Sequence, residues 1–295
     1  MGDGRGGDGA AVWEGGSIRL DRALAELGLA RSRSHAAELI ARGRVLCDGL
    51  PAVKAGARVQ AGSSLEVEAG EHYVSRAAHK LIAGLDAFGI DPAGALALDV
   101  GASTGGFTQV LLERGAREVI ALDVGHDQLA PELRADPRVR VVEGCNAREL
   151  GPELLAEVSG THETPQLVVG DLSFISLTLV LPAIVRAAPR AVLMLLVKPQ
   201  FEVGRQGLRD GIVVDEALAA EAVQRVLDRA AGLGCPCIGL APSPFTGEHG
   251  NREMLACFSP VAEAHGDPAG DALRTAPADP TEWEDRIRSL MGGGA

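Results

Sequence analysis

The stretch ALDVGASTGGFTQVLLERGA, residues 97–116, decides how this chain is read. It continues an apolar run, Ala95 to Val100, that reads as a buried strand containing Asp99. Gly101, Gly105 and Gly106 then make a glycine-rich turn, and Thr104 to Arg114 reads as a helix. Glycines at the carboxyl end of a parallel strand let the backbone approach a ligand, beside a helix N-terminus that favours polar or anionic groups. The turn lacks the dinucleotide pattern G-x-G-x-x-G, and with no lysine after Thr104 it is no phosphate-cradling Walker loop. A second strand, Glu118 to Asp123, ends in a carboxylate suited to ribose hydroxyls. Together these features fit an adenosine-containing cofactor.

Outward from this unit the chain alternates strand and helix. A helix is expected at His126–Ala135, a strand at Val139–Glu143, a strand at Gln166–Asp171, a helix at Ser176–Ala187 and a strand at Ala191–Val197. An irregular loop follows from Lys198 to Gly211, then a helix at Glu216–Leu233 and two strands, Cys235–Leu240 and Glu253–Phe258. Upstream, residues 74–90 read as a helix with Leu81, Leu85 and Phe88 inward. Strands separated by helices imply an α/β body with a mostly parallel seven-stranded sheet and helices on both faces, the last two strands forming an antiparallel pair.

The N-terminal region differs. Leu20, Leu24 and Leu27 make one helical face ending at Gly28; Ser32 or Ser34 caps a second helix through Ala36, Leu39 and Ile40. Arg44–Cys47 and Leu65–Val67 read as strands of a small α+β unit. The chain carries a net charge of −12. Between Ser17 and Gln60, however, eight basic residues face four acidic ones, a local +4 that leaves −16 elsewhere. A basic module on an acidic body can hold a polyanion. The expected division is residues 1–16 disordered, 17–69 a nucleic-acid-binding domain, 70–79 a linker and the start of the first helix, 80–260 the α/β body, and 261–295 an acidic flexible tail. Within that tail Thr281–Glu284 fits a capping box, with Trp283, Ile287 and Leu290 on one face of a short helix.

Several classes are disfavoured. The longest apolar stretch, Phe174–Val185, is shorter than the roughly 20 residues a spanning helix needs, and no secretory signal is readable, so a cytoplasmic protein without a membrane partner is expected. The five cysteines are scattered, and Cys235 and Cys237 read as buried small side chains rather than a metal or redox site. Of the 28 basic residues only Lys54, Lys80 and Lys198 are lysines. A chain so biased towards arginine keeps lysine where guanidinium does not serve, since only the ammonium readily sheds a proton and acts as a base. That marks Lys80 and Lys198 for chemistry.

The motifs carry a resemblance. Residues 19–49 with 53–68 resemble the small RNA-binding domain of ribosomal protein S-four, which implies RNA-contacting roles for Arg19, Arg22, Arg31, Arg33, Arg42 and Arg44. DVGASTGGFT resembles the S-adenosylmethionine site of Rossmann-type class I methyltransferases of the FtsJ-like RNA 2′-O group. That resemblance implies cofactor contacts from Asp99, Gly101, Ser103, Thr104, Gly105, Gly106, Phe107, Asp123, Asn146 and Asp171. The same group uses a Lys-Asp-Lys-Glu tetrad, here Lys80 in SRAAHKL, Asp171 in GDLSF, Lys198 in VKPQFE and Glu253 in GNRE, with Glu202 and Glu248 as rivals for the last place. Lys198 is expected to be the base that takes a ribose hydroxyl proton, while Asp171 and Glu253 orient the two ammoniums.

From residue 17 to 260 the chain resembles the TlyA family. Its members are cytidine 2′-O-methyltransferases of large-subunit (23S) and in some cases also small-subunit (16S) ribosomal RNA, which older usage calls hemolysins. The implied partner is ribosomal RNA within ribosomal subunits, and no metal is implied. Where the family often carries an Arg-aromatic motif before VSR, this chain has Glu71-His72-Tyr73-Val74. The competing readings are a catalytically silent RNA-binding or ribosome-assembly factor, and a nicotinamide oxidoreductase, disfavoured by the missing G-x-G-x-x-G.

Overall fold

A computed structural model describes residues 9–30, 32–41, 43–67, 72–247, 250–260 and 280–292. They fall into two compact units, residues 1–72 and 73–295. In the first, β1 (Gly9–Val12), β2 (Ile18–Arg19), α1 (Leu20–Glu26), α2 (Arg33–Ala41), β3 (Val45–Cys47), β4 (Leu50–Pro51), β5 (Arg58–Val59) and β6 (Ser64–Val67) follow in order. A four-stranded sheet runs β1-β6-β3-β4, and β2 pairs with β5. Leu20, Leu24, Leu39, Ile40, Val45 and Leu65 make the core. The first two N–H groups of α1 donate to the carbonyls of Ala57 and Ala55 in place of a side-chain cap, and the Ser32 hydroxyl accepts from the His35 N–H ahead of α2.

Residues 9–12 were expected to be disordered and instead form β1, each residue paired antiparallel with one of β6. A Gly-Ala-Ala-Val run lacks the alternation that signals a strand. Its pairing partner, supplied by the fold, is what orders it. Residues 1–8, also expected to be disordered, lie outside the described residues, as do Arg31, Arg42, residues 68 and 69 at the end of the expected nucleic-acid-binding domain, residues 70 and 71 of the expected linker, Glu248 and residues 261–279.

The second unit runs α3 (Ala77–Phe88), β7 (Leu96–Val100), α4 (Gly106–Glu113), β8 (Glu118–Leu122), α5 (Pro131–Arg134), β9 (Val139–Val142), α6 (Pro152–Ser159), β10 (Leu167–Gly170), α7 (Leu177–Ala187), β11 (Val192–Val197), α8 (Pro199–Glu202), α9 (Glu216–Ala231), β12 (Cys237–Pro242), β13 (Met254–Phe258) and α10 (Pro280–Gly292). The seven-stranded sheet has the order β12-β13-β11-β10-β7-β8-β9; all neighbours are parallel except β13, which is antiparallel to both β11 and β12. Alternate residues of β7 feed two cores: Leu96, Leu98 and Val100 pack with α7 and α9, and Ala97 packs with α3 and α4. Strand order reverses between β7 and β10, the position at which open α/β sheets bind ligands.

Three expectations are corrected. The helix expected over 126–135 is only Pro131–Arg134, because Pro131 fits a first turn but cannot extend one upstream. The loop after Lys198 contains α8. In the tail expected to be flexible, the short helix expected around Trp283 and Ile287 is α10, and it is not loose: Trp283, Ile287 and Met291 are buried in the core against α9, with Leu290 partly buried. The unforeseen α6 carries ordinary boundary signals, Pro152 at its start and Gly160 at φ 70° behind it.

Candidate active site

Four elements deliver the tetrad to one end of the sheet. Asp171 follows the last residue of β10, Lys198 follows the last residue of β11, and Glu253 precedes the first residue of β13. Because β13 runs antiparallel, with Met254 opposite Val197, its start lies beside the end of β11. Lys80 comes from α3, 173 residues away from Glu253 in sequence. Lys80 Nζ donates to Glu253 Oε2 at 2.6 Å and lies 3.7 Å from Asp171 Oδ2. Lys198 Nζ lies 2.7 Å from Asp171 Oδ1, a charge contact outside hydrogen-bond alignment, and donates to Ser173 Oγ at 2.8 Å. The result is a continuous line, Glu253–Lys80–Asp171–Lys198, with two charges of each sign.

Burial makes the pairing obligatory. The Glu253 side chain is 2% exposed and that of Lys198 9%, so each charge would be costly without its partner. Gly247 is required beside Glu253, since a Cβ there would stand 2.2 Å from Glu253 Oε1. Glu202, the rival carboxylate, is elsewhere: its oxygens accept from Ser176 Oγ and the Leu177 N–H at the start of α7, and burial pushes its carboxyl above the usual range.

Two cavities meet at this line. One, about 590 Å³, opens at the ends of β7, β8, β9 and β10 and is lined by Gly101, Ser103, Asp123, Asn146 and Asp171. Asp123 is held rigidly, Oδ2 accepting from the Ser103 N–H at 2.8 Å and Oδ1 from the Gly125 N–H at 2.7 Å. Asn146 Oδ1 accepts from the Arg148 N–H at 3.1 Å. The second cavity, about 340 Å³, holds Lys80, Lys198 and Glu253. Ser173 and Phe174 line both. A third, about 560 Å³, lies between α9 and α10 and contains none of these residues.

The other residues expected around the cofactor have a different place. Phe107 is buried in the core. The space beside Gly105, at φ +98°, is filled by Leu133 and Leu129, and that beside Gly106 by Ser75 and the Ala78 N–H. At both positions a side chain would meet these neighbours, so the glycines let α4 pack closely against them. Thr104 is exposed but outside the cavity lining. Asp99 is 1% exposed beneath the turn; its Oδ2 accepts from Thr108 Oγ1 at 2.7 Å, Oδ1 has no hydrogen-bond partner among the described residues, and burial pushes its carboxyl up to about 7.

Sequence reasoning passed over Ser173, Phe174, Phe201 and Phe245. The available signal was scarcity: three of the six phenylalanines line the tetrad cavity. Phe174 is 87% exposed at φ 64°, a strained backbone for an aromatic residue, with its ring 5.3 Å from that of Phe201.

In the first unit, Arg19 and Arg33 both hold the buried Asp21, whose carboxyl the Arg19 guanidinium keeps below the usual range. Arg22 pairs with Glu26. The side chains of Arg19, Arg22 and Arg33 nevertheless stay at least half exposed. Among the described residues no cluster of side chains suits a metal ion, and no helix is long and apolar enough to cross a membrane.

A sheet of this order, with a ligand cavity at its switch point and a Lys-Asp-Lys-Glu line beside it, defines a methyltransferase of the Rossmann type. Residues 73–259 match the FtsJ-like methyltransferase family and residues 18–65 the S4 domain. The chain is 52% identical over 241 residues, 80% of its length and 88% of the relative's, to the 16S/23S rRNA (cytidine-2′-O)-methyltransferase TlyA of Mycobacterium tuberculosis. It is 36% identical to Hemolysin A of Brachyspira hyodysenteriae, covering 82% of this chain and 99% of that one. A solved structure titled "Putative hemolysin from Streptococcus thermophilus" superposes with a TM-score of 0.66 at 32% identity, covering 94% of this chain and 98% of that one. The chain belongs to the TlyA family of FtsJ-like methyltransferases.

Proposed function

We propose that this protein is a cytoplasmic enzyme that methylates the ribose 2′-oxygen of a cytidine in ribosomal RNA, within ribosomal subunits, using S-adenosylmethionine. The observation that carries the reading is the Glu253–Lys80–Asp171–Lys198 line at the junction of two cavities. The larger cavity suits the cofactor: it offers a fixed carboxylate at Asp123 whose oxygens keep lone pairs for ribose hydroxyls, Asn146 on one side, and apolar walls from Leu122, Leu172 and Ile175. Gly101, Ser103 and Asp171 complete the contacts. Asp99, Gly105, Gly106 and Phe107 support the turn from beneath.

Bound there, S-adenosylmethionine supplies an electrophilic sulfonium methyl. With one of its own protons released to solvent beforehand, Lys198 Nζ is a neutral amine that takes the proton of the 2′-hydroxyl as that oxygen bonds the methyl. Asp171 and Ser173 aim the amine, and Lys80, fixed by Glu253, places a positive charge on the far side of Asp171. Phe174, exposed between the cavities, offers a face for the target base. Residues 17–69, with the exposed heads of Arg19, Arg22 and Arg33 and with Arg31, Arg42 and Arg44, contact structured RNA.

The test is methyl transfer from radiolabelled S-adenosylmethionine to isolated ribosomal subunits, with nuclease mapping of the label. Label on a cytidine 2′-oxygen is expected, and Lys198→Ala should lower the rate roughly 10²–10⁴-fold with cofactor affinity within about twofold. Cofactor binding without transfer to either subunit would favour the silent RNA-binding factor.

A further inference from the structure

The tetrad cavity holds three cations, Arg76, Lys80 and Lys198. Both lysines are committed to carboxylates. Arg76, exposed at the start of α3, has no ion pair or side-chain hydrogen bond among the described residues. On the same rim, Phe245 is 46% exposed in the loop between β12 and β13, with its ring 6.0 Å from that of His79, itself exposed one helical turn beyond Arg76. The His79 ring also meets Tyr73 edge-on at 5.3 Å. A free guanidinium beside a propped aromatic face is unexplained by cofactor binding or by proton transfer.

Ribose geometry says what belongs there. The carbon bearing the 2′-hydroxyl adjoins the carbon bearing the 3′-oxygen, so a ribose presented to Lys198 has its 3′-phosphate close by. The phosphodiester-linked strand, with one negative charge at each linkage, then leaves through the cavity. Resting on the RNA methyltransferase reading above, we propose that Arg76 binds the 3′-phosphate of the target nucleotide and that the base of its 3′-neighbour stacks on Phe245, propped by His79. Arginine suits a phosphate through its forked donors, and an aromatic face accepts any base. The strand is thereby held on both sides of the reacting ribose, with Phe174 on the cofactor side and Phe245 on the exit side.

The full-length protein is tested as Arg76→Gln, Phe245→Ala, Phe245→Leu and Phe245→Trp, with ribosomal subunits as RNA. Binding of subunits, KM for RNA, kcat and cofactor affinity are measured at several salt concentrations. Arg76→Gln should weaken RNA binding roughly tenfold and reduce the log–log salt slope by about one. Phe245→Ala and Phe245→Leu should each weaken it by roughly tenfold, whereas Phe245→Trp restores it; cofactor affinity stays as in wild type. A photo-crosslinking residue at 245 should label the nucleotide 3′ of the methylated one. RNA binding unchanged in Arg76→Gln and Phe245→Ala, rescue by Leu as well as by Trp, or a crosslink mapping elsewhere would overturn the proposal. If the wild type transfers no methyl while both variants still lose RNA affinity, the rim stands as an RNA site and the methyltransferase reading falls.

Discussion

Asp99 combines near-complete burial with an oxygen, Oδ1, that has no partner of good geometry among the described residues, and Thr108 is the residue that hydrogen-bonds its carboxylate. Burial, reinforced by the negative charges of Asp171 and Asp123 but opposed by that hydrogen bond, pushes its carboxyl from 3.8 up to about 7. Between those values the folded protein holds a proton that the unfolded chain has released, so this residue makes stability fall as pH rises from about 4 to about 7. Asp99→Asn keeps the shape without the titration. The stability difference between wild type and Asp99→Asn, from urea unfolding at pH 5 and pH 8, should shift against the wild type at the higher pH, with a slope of up to about 1.4 kcal/mol per pH unit. A difference that does not change with pH would show that Asp99 stays ionised in the fold. The residue stood out in the sequence because it ends the strand before the glycine turn, and there it reads as a ligand contact. Its burial beneath the turn depends on how α4 packs, which a linear pattern does not contain.

The contact between α3 and α4 joins the turn to the chemistry. Gly106 opens α4, and a Cβ there would lie 3.0 Å from Ser75 Cβ and 3.1 Å from the Ala78 N–H, both just ahead of Lys80. Backbone cannot yield as a side-chain tip can. Gly106→Ala is therefore expected to push α3 outward and carry Lys80 from Glu253 and Asp171, lowering kcat by up to roughly 10²-fold while the chain remains folded by circular dichroism. Wild-type kcat in a folded Gly106→Ala protein would rule out this coupling. Element types were largely legible: the strands over 96–100, 118–122, 139–142, 167–170 and 192–197 each fall within a mostly apolar segment, interrupted by Asp99, Glu118 and Arg140, with turn residues at its ends. What escaped were β1, β2, β4 and β5, short segments ordered only by their partners, and α6, whose cap signals were present but unread.

The methyltransferase body closes its core with the far end of the chain. Trp283, Ile287 and Met291 of α10 enter the cluster that contains α9, β12 and β13, and Arg286 Nη2 reaches the Leu240 carbonyl of the edge strand β12. Residues 73–259 match the family, so this helix lies beyond the matched span and still belongs to the core. Trp283→Ala should cost about 3–5 kcal/mol, read as a lower midpoint in urea, and Leu290→Ala, only partly buried, distinctly less. Equal and negligible effects would mean that α10 is not packed in solution.

Composition and periodicity alone determined the α/β class, the position of the glycine turn, the basic character of residues 17–60 and, through the rarity of lysine, two of the four tetrad residues. Local order suffices for these, because strand burial, turn chemistry and charge are properties of neighbouring residues. Only the tertiary structure decided the order of the sheet, the antiparallel entry of β13 that sets Glu253 beside Lys198, the removal of Glu202 to the start of α7, and the gathering of Phe174, Phe201 and Phe245 about one cavity. Those are contacts between segments as far as 173 residues apart. Each depends on the packing of the whole sheet and its helices, because the free energy of such a contact resides in the geometry that closes the loop between its ends.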